Sequence, residues 1–280
     1  VTERGLTREL VGALYEIART RRLLVALDFD GTLAPEVDDP EQARALPEAR
    51  AAVLALLELP GTRVALVSGR SLASLELVSE LPDTVLLVGS HGIEIRLDTA
   101  HPDTASPVAA PPDTVPLDTV SLDTQELRQV TVMQEVLGEV ADSFDQVWLE
   151  AKPAGFALHT RLATEDNSRV AHLVALSEVT AEIDSVTVRK GKDVLEFSVR
   201  ATTKGDALEH LRSYTRANAV FYAGDDVTDE DAFAALGPDD LGLKSGPGET
   251  LAAHRVAGPT QVAQVLALLA EIRDGTAHEQ

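Results

Sequence analysis

Apolar residues along the chain change their spacing several times, and each change marks an element. Leu10, Val11, Leu14 and Ile17 recur at helical spacing within Glu9–Thr20. Leu23–Asp28 is a continuous apolar run ending in an acid, the pattern of a strand buried on both faces of a parallel sheet. Pro47–Leu59 and Ser71–Ser79 predict helices, while Arg63–Val67 and Val85–Val88 predict further buried strands. Alternation of this kind implies a parallel sheet with helices on both faces.

The pattern breaks between Asp98 and Thr124. This stretch is proline-rich, contains no glycine, and repeats Asp-Thr at 98, 103, 113, 118 and 123. A spacing of five fits neither helix nor strand and is far shorter than a solenoid repeat. A flexible linker or surface insert is the expectation for 98–124. An αββαββ pattern follows: helix Gln125–Val140, strands Gln146–Glu150 and Gly155–Arg161, helix Glu165–Ala181, strands Val186–Arg189 and Val194–Val199. It predicts a small α+β domain with two helices on one face of a four-stranded antiparallel sheet. The first pattern then resumes with helix Lys204–Tyr214, strand Ala219–Ala223, helix Thr228–Leu236, short strands near Leu241 and Val256, and helix Thr260–Ile272. The expected organisation is an α/β core in two parts, 1–97 and 200–280, interrupted by the linker and by an α+β module at 125–199.

Polar motifs sit where the predicted strands end. In open α/β sheets ligands bind beyond the carboxyl ends of the strands, where strand order reverses. Asp28-Phe29-Asp30-Gly31-Thr32 follows the first strand. There Asp28 can attack phosphorus to form an acyl phosphate, and Asp30 can serve as general acid and base. Ser68-Gly69-Arg70 ends the second strand just before a helix, where a hydroxyl and free N–H groups suit a phosphate oxygen. Lys204 opens the helix after the inserted module; it is either a phosphoryl-neutralising cation or a solvated surface lysine. Gly224-Asp225-Asp226-Val227-Thr228-Asp229 ends the next strand, and hard oxygen ligands there suit Mg²⁺. A helix N-cap run is compatible with that reading. A calcium loop of the EF-hand type is not, because its sixth position, which needs glycine, is Glu230.

Composition narrows the function classes. With 24 basic and 46 acidic residues the formal charge is −22, which argues against nucleic acid or anionic membrane as a partner and leaves a small anionic substrate open. Cysteine is absent from the sequence, which removes disulfides, thiolate metal sites and cysteine nucleophiles. No apolar run approaches membrane-spanning length, and residues 1–20 carry charges throughout. A cytoplasmic monomer is the expectation.

Taken jointly, Asp28 with Asp30, Ser68, Lys204 and the Asp225 cluster resemble the four motifs of haloacid dehalogenase-type phosphatases. The resemblance implies a Rossmann-like core, a cap domain at the inserted module, Asp28 as nucleophile and Asp30 as general acid/base. It also implies phosphate binding by Thr32, Ser68 and Lys204. Mg²⁺ would be held by Asp28, the main-chain carbonyl of Asp30, and Asp225, with Asp226 and Asp229 in support. Further segments, His91-Gly92-Ile93-Glu94, Lys152 before Gly155–Arg161, and Gly191-Lys192 before Glu196, look like trehalose-6-phosphate phosphatases. That match implies a sugar phosphate substrate met by Lys192 and Glu196, with His91 and Glu94 bordering the same pocket. By pattern alone, Lys192, Val194, Glu196 and Ser198 are equally one face of a half-exposed strand.

Overall fold

In the computed structural model, which describes residues 5–37, 39–97, 122–191 and 193–277, the run Leu23–Leu27 forms the central strand β1. The chain divides into two compact units, Val1–Leu117 with Thr202–Gln280, and Asp118–Ala201. Most of the expected linker, 98–121, lies outside the described residues, as does Lys192.

The first unit continues with β2 (Thr62–Val67), β3 (Leu86–Gly89) and β4 (Glu94–Arg96). After the second unit it resumes with β9 (Ala219–Gly224), β10 (Leu241–Ser245) and β11 (His254–Val256). The sheet order is β11-β10-β9-β1-β2-β3-β4. β1 pairs in parallel with β2 on one side and β9 on the other, so strand order reverses at its carboxyl end. Alternate residues of β1 enter two different cores. Leu23, Val25 and Leu27 join α1 (Arg8–Ala18), α2 (Pro47–Leu57), α3 (Leu72–Ser79) and α8 (Pro259–Ala277). Leu24 and Ala26 join α6 (Lys204–Thr215) and α7 (Asp229–Ala234). This two-sided burial is why the strand reads as an unbroken apolar run.

The core of the sheet is parallel as expected, and one edge strand not foreseen, β4, pairs antiparallel with β3. A three-residue edge strand is too short for any periodicity to announce it.

The second unit holds α4 (Thr124–Ser143), β5 (Trp148–Lys152), β6 (Gly155–His159), α5 (Glu165–Glu182), β7 (Thr187–Gly191) and β8 (Val194–Ser198). Its antiparallel sheet has the order β5-β6-β8-β7. Phe156 and Leu158 of β6 and Leu195 and Phe197 of β8 pack against Met133, Leu137, Ala171 and Ala175 of the two helices. Both helices therefore cover one face. Several boundaries shift by one to three residues, and two of the shifts have a local cause. Asp123 is the N-cap of α4, with its carboxylate accepting from the Gln125 and Glu126 N–H groups, so the helix begins at Thr124, one residue before its expected start. β5 starts at Trp148 rather than Gln146, because Gln146 takes a left-handed conformation, φ 61°, that a strand cannot hold. Among the described residues, no helix is long and apolar enough to cross a membrane.

Candidate active site

β1 ends by delivering Asp28, whose N–H still donates to Ala223 of β9 at 2.9 Å. The chain then turns at Gly31, φ +72°, and a Cβ there would lie 1.9 Å from Asp225 Oδ2. At the end of β9, a Cβ on Gly224 would lie 2.3 Å from Asp229 Cγ. The missing side chain at Gly31 lets the Asp28 and Asp225 loops close on each other, and the one at Gly224 lets Asp229 fold back over the end of its own strand.

α6 supplies the cation. A capping box between Thr203 and Asp206 starts this helix at Lys204. Lys204 Nζ donates to Asp28 Oδ1 at 2.8 Å and to Asp229 Oδ1 at 2.7 Å. Lys204 is 2% and Asp28 4% exposed, so the solvated-surface reading of this lysine fails. Asp229 is a hub: it also accepts from the Tyr222 hydroxyl at 2.6 Å and from the N–H groups of Asp225 and Asp226 at 2.8 Å each. Lys244 Nζ donates to the carbonyl of Asp225 at 2.5 Å and to that of Asp226 at 3.4 Å, fixing the acidic turn from behind. The Asp226 carboxylate accepts from the neighbouring Val227 N–H.

Carboxylate oxygens of Asp28, Asp225 and Asp229 lie within 4.8 Å of one another, a group that can hold a metal ion. Burial pushes the Asp28 carboxyl well above the usual range against the pull of Lys204. Burial and then Asp229 push Asp225 up to about 7. Asp229 goes the other way: burial alone would raise it, but the charge and hydrogen bond of Lys204 outweigh that. Lys204 itself is held protonated because Asp229 and Asp28 overcome its desolvation. Asp229 is occupied by four protein donors, which leaves Asp28 and Asp225 as the acids whose charge is least compensated. Acids crowded in this way fit a hard divalent cation.

Most of the other expected residues have partners of their own. Thr32 is fully buried and its hydroxyl has no hydrogen-bond partner, as a group kept for a ligand would be. Ser68 Oγ accepts from Arg70 N at 3.2 Å. Asp30 is gripped by Arg70, whose Nε and Nη2 donate to its two oxygens at 2.6 and 2.7 Å. His91, at φ 54°, lies over the Ser68–Arg70 loop; a Cβ on Gly69 would be 2.6 Å from His91 Cε1. The Glu94 carboxylate accepts from Leu72 N at 2.9 Å and Ser90 Oγ at 2.7 Å, which ties it to the start of α3. In the second unit, Glu196 is half-buried on β8 between Ala157 and Arg189, on the sheet face opposite Leu195 and Phe197. The same open face carries Trp148 stacked on His159, ring centroids 5.0 Å apart. There Glu150 accepts from Lys152 and bonds His159 Nε2 at 2.8 Å.

Sequence reasoning gave no role to Arg70, Tyr222, Lys244 or Glu150. Arg70 was visible as the third residue of a strand-end motif. Tyr222 and Lys244 lie within buried strands, where a polar tip on an otherwise apolar run is the one available signal.

The family described as trehalose-phosphatase matches residues 26–265. A trehalose-phosphate phosphatase of Mycobacterium marinum is 32% identical, over 94% of this chain and 66% of its own length. A bifunctional trehalose-6-phosphate synthase/phosphatase of Thermoproteus tenax is 32% identical, over 86% of this chain and 31% of its own. The chain thus spans less than two thirds of each of these relatives. The C-terminal domain of a C. albicans trehalose-6-phosphate phosphatase shares the fold, with TM-score 0.75 at 22% identity, over 95% of this chain and 98% of that one.

Proposed function

The chain belongs to the trehalose-phosphatase family, and from that premise we propose that it hydrolyses trehalose 6-phosphate to trehalose and inorganic phosphate. The observation that carries the reading is the buried Asp28–Lys204–Asp229 chain with Asp225 beside it. A lysine held protonated against a strand-end carboxylate is suited to a dianionic ester. An unreactive scaffold has no physical need to bury such a set.

Hydrolysis then takes two displacements. An Asp28 oxygen attacks phosphorus, the bond to the sugar oxygen breaks, and Asp30 gives that oxygen its proton. Water next attacks the acyl phosphate and gives its proton to Asp30, and the bond to Asp28 breaks to release phosphate. Lys204 faces the phosphoryl oxygens throughout, and the Thr32 and Ser68 hydroxyls donate to them. Asp28, Asp225 and the Asp30 carbonyl would hold Mg²⁺, whose chemistry when bound is to offset charge on the phosphoryl oxygens. Discrimination of the sugar is assigned to Lys192 and Glu196, with His91 and Glu94 shaping the loops near Ser68. A cytoplasmic monomer completes the reading.

Phosphate release from a panel of sugar phosphates tests it. Trehalose 6-phosphate should be the preferred substrate, EDTA should silence the enzyme and Mg²⁺ restore it, and Asp28→Asn should abolish turnover. An Asp28→Asn variant within about tenfold of wild type would refute the mechanism. Glu196→Ala and Lys192→Ala should each cost about ten- to a hundredfold in kcat/KM on the disaccharide and little on an aryl phosphate. Equal losses on both substrates would mean a structural role.

A further inference from the structure

Asp30, the acid/base of the proposed reaction, is 37% exposed at its side chain and sits on a one-carbon stem beside a glycine turn. Such a group has several staggered rotamers open to it. Here one is selected by a two-pronged grip: Arg70 Nε on Oδ2 at 2.6 Å and Nη2 on Oδ1 at 2.7 Å. The grip is itself anchored. Arg70 Nη1 donates to Ser74 Oγ at 3.2 Å, and the guanidinium lies 5.8 Å from the centroid of the buried Phe29 ring. Its main chain is fixed as well, with N donating to Ser68 Oγ at 3.2 Å and O accepting from Ser90 N at 2.7 Å.

Resting on the phosphatase reading above, we propose that Arg70 is a positioning residue that holds the Asp30 carboxylate in the orientation both proton transfers use. Each guanidinium nitrogen donates once within the protein, and the two parallel bonds of the planar fork both go to Asp30. A lysine in its place would keep the charge but present one point donor instead of two parallel ones. Without the fork, the carboxylate wanders and proton delivery to the sugar oxygen fails, as does proton capture from water. Nitrophenolate departs without a proton, so formation of the acyl phosphate from a dinitrophenyl ester does not depend on Asp30.

The test uses the full chain with Mg²⁺ and the variants Arg70→Ala, Arg70→Lys, Asp30→Asn and the Asp30→Asn/Arg70→Ala double variant, each checked by thermal unfolding. On trehalose 6-phosphate, Arg70→Ala should lower kcat about a hundredfold with KM within about threefold. In the Asp30→Asn background it should add no more than about twofold. On 2,4-dinitrophenyl phosphate it should keep a burst of one dinitrophenolate per enzyme while the steady rate falls. Arg70→Lys should recover only a small part of kcat and, should the alanine variant not fold, carries the same comparison against Asp30→Asn. Additive losses, or a raised KM with kcat intact, would overturn the proposal and make Arg70 a direct substrate contact. Full activity in Arg70→Lys would overturn it too, since charge alone would then suffice. Wild-type turnover of no phosphomonoester would overturn the phosphatase reading and this proposal together; any wild-type turnover leaves that reading standing and judges Arg70 alone.

Discussion

Gly31 and Tyr222 show how single residues set this site. A methyl group at Gly31 must both hold φ +72° and displace Asp225 Oδ2, which stands 1.9 Å from where it would be. The left-handed conformation alone costs about 1–2 kcal/mol for alanine. The larger effect is on geometry, because Asp225 can relax only by leaving Asp28. Gly31→Ala should therefore stay folded, lose about a hundredfold in kcat/KM and bind Mg²⁺ more weakly by calorimetric titration. Activity within a few-fold of wild type would show that the two loops need not approach so closely. Tyr222 lies at the far side of the same network, fully buried with its hydroxyl on Asp229. Tyr222→Phe removes one of the four donors of Asp229 and should cost about 1–2 kcal/mol in denaturant unfolding. Asp28 was legible as a residue because it ends an apolar run. Tyr222 was not, since an aromatic inside a buried strand looks like core until its partner, seven residues on, is seen.

At the level of elements, the amino ends of the strands are stapled by one side chain of α8. Arg273, 5% exposed, donates to Thr62 Oγ1 at 2.6 Å and to the carbonyls of Ala18, Thr20 and Gly61 at 2.8, 2.6 and 2.9 Å. These groups lie at the end of α1, in the turn before β1 and at the start of β2. Arg273→Met would leave several of them without a donor and should cost about 3 kcal/mol of stability. The chemistry sits at the opposite ends of the strands, so kcat should hold; a large fall in kcat would contradict this division. In the second unit the β5–β6 pair carries a pH-dependent contact. The hydrogen bond from His159, against the penalty of burial, pulls Glu150 down to about 2 from an ordinary 4.5. A carboxylate with a lowered folded value contributes stability above its unfolded value and loses it as pH falls through the folded one. The Tm difference between wild type and Glu150→Gln should therefore be steady above about pH 4.5 and vanish as pH approaches about 2. A difference that grew on acidification would reverse the assignment. Elements with long, regular patterns were legible: β1, β2, β9 and α5 lie where the periodicity puts them. β4 and the start of β5 were not, because one is three residues long and the other is decided by the backbone of Gln146.

For the molecule as a whole, the separate apolar cores predict separable folding. The second unit has its own sheet, two helices with N-caps and a closed apolar cluster around Phe156, Leu158 and Phe197. Expressed alone, residues 122–201 should unfold cooperatively, with near-ultraviolet dichroism from Trp148 lost in the same transition as the helices. A molten, gradually melting fragment would mean that its core is completed by the rest of the chain. The sequence by itself determined the class of both units, because burial on both faces of β1 and alternation in β6 and β8 are local properties of the run of side chains. It also determined which residues stand at strand ends, since each acid or lysine follows or opens its own element. Only the tertiary structure decided what those residues do to one another. Asp28 meets Lys204 across 176 positions and Arg70 meets Asp30 across 40. Whether a charge is solvated, paired or crowded depends on which distant element folds against it, and no local pattern carries that information.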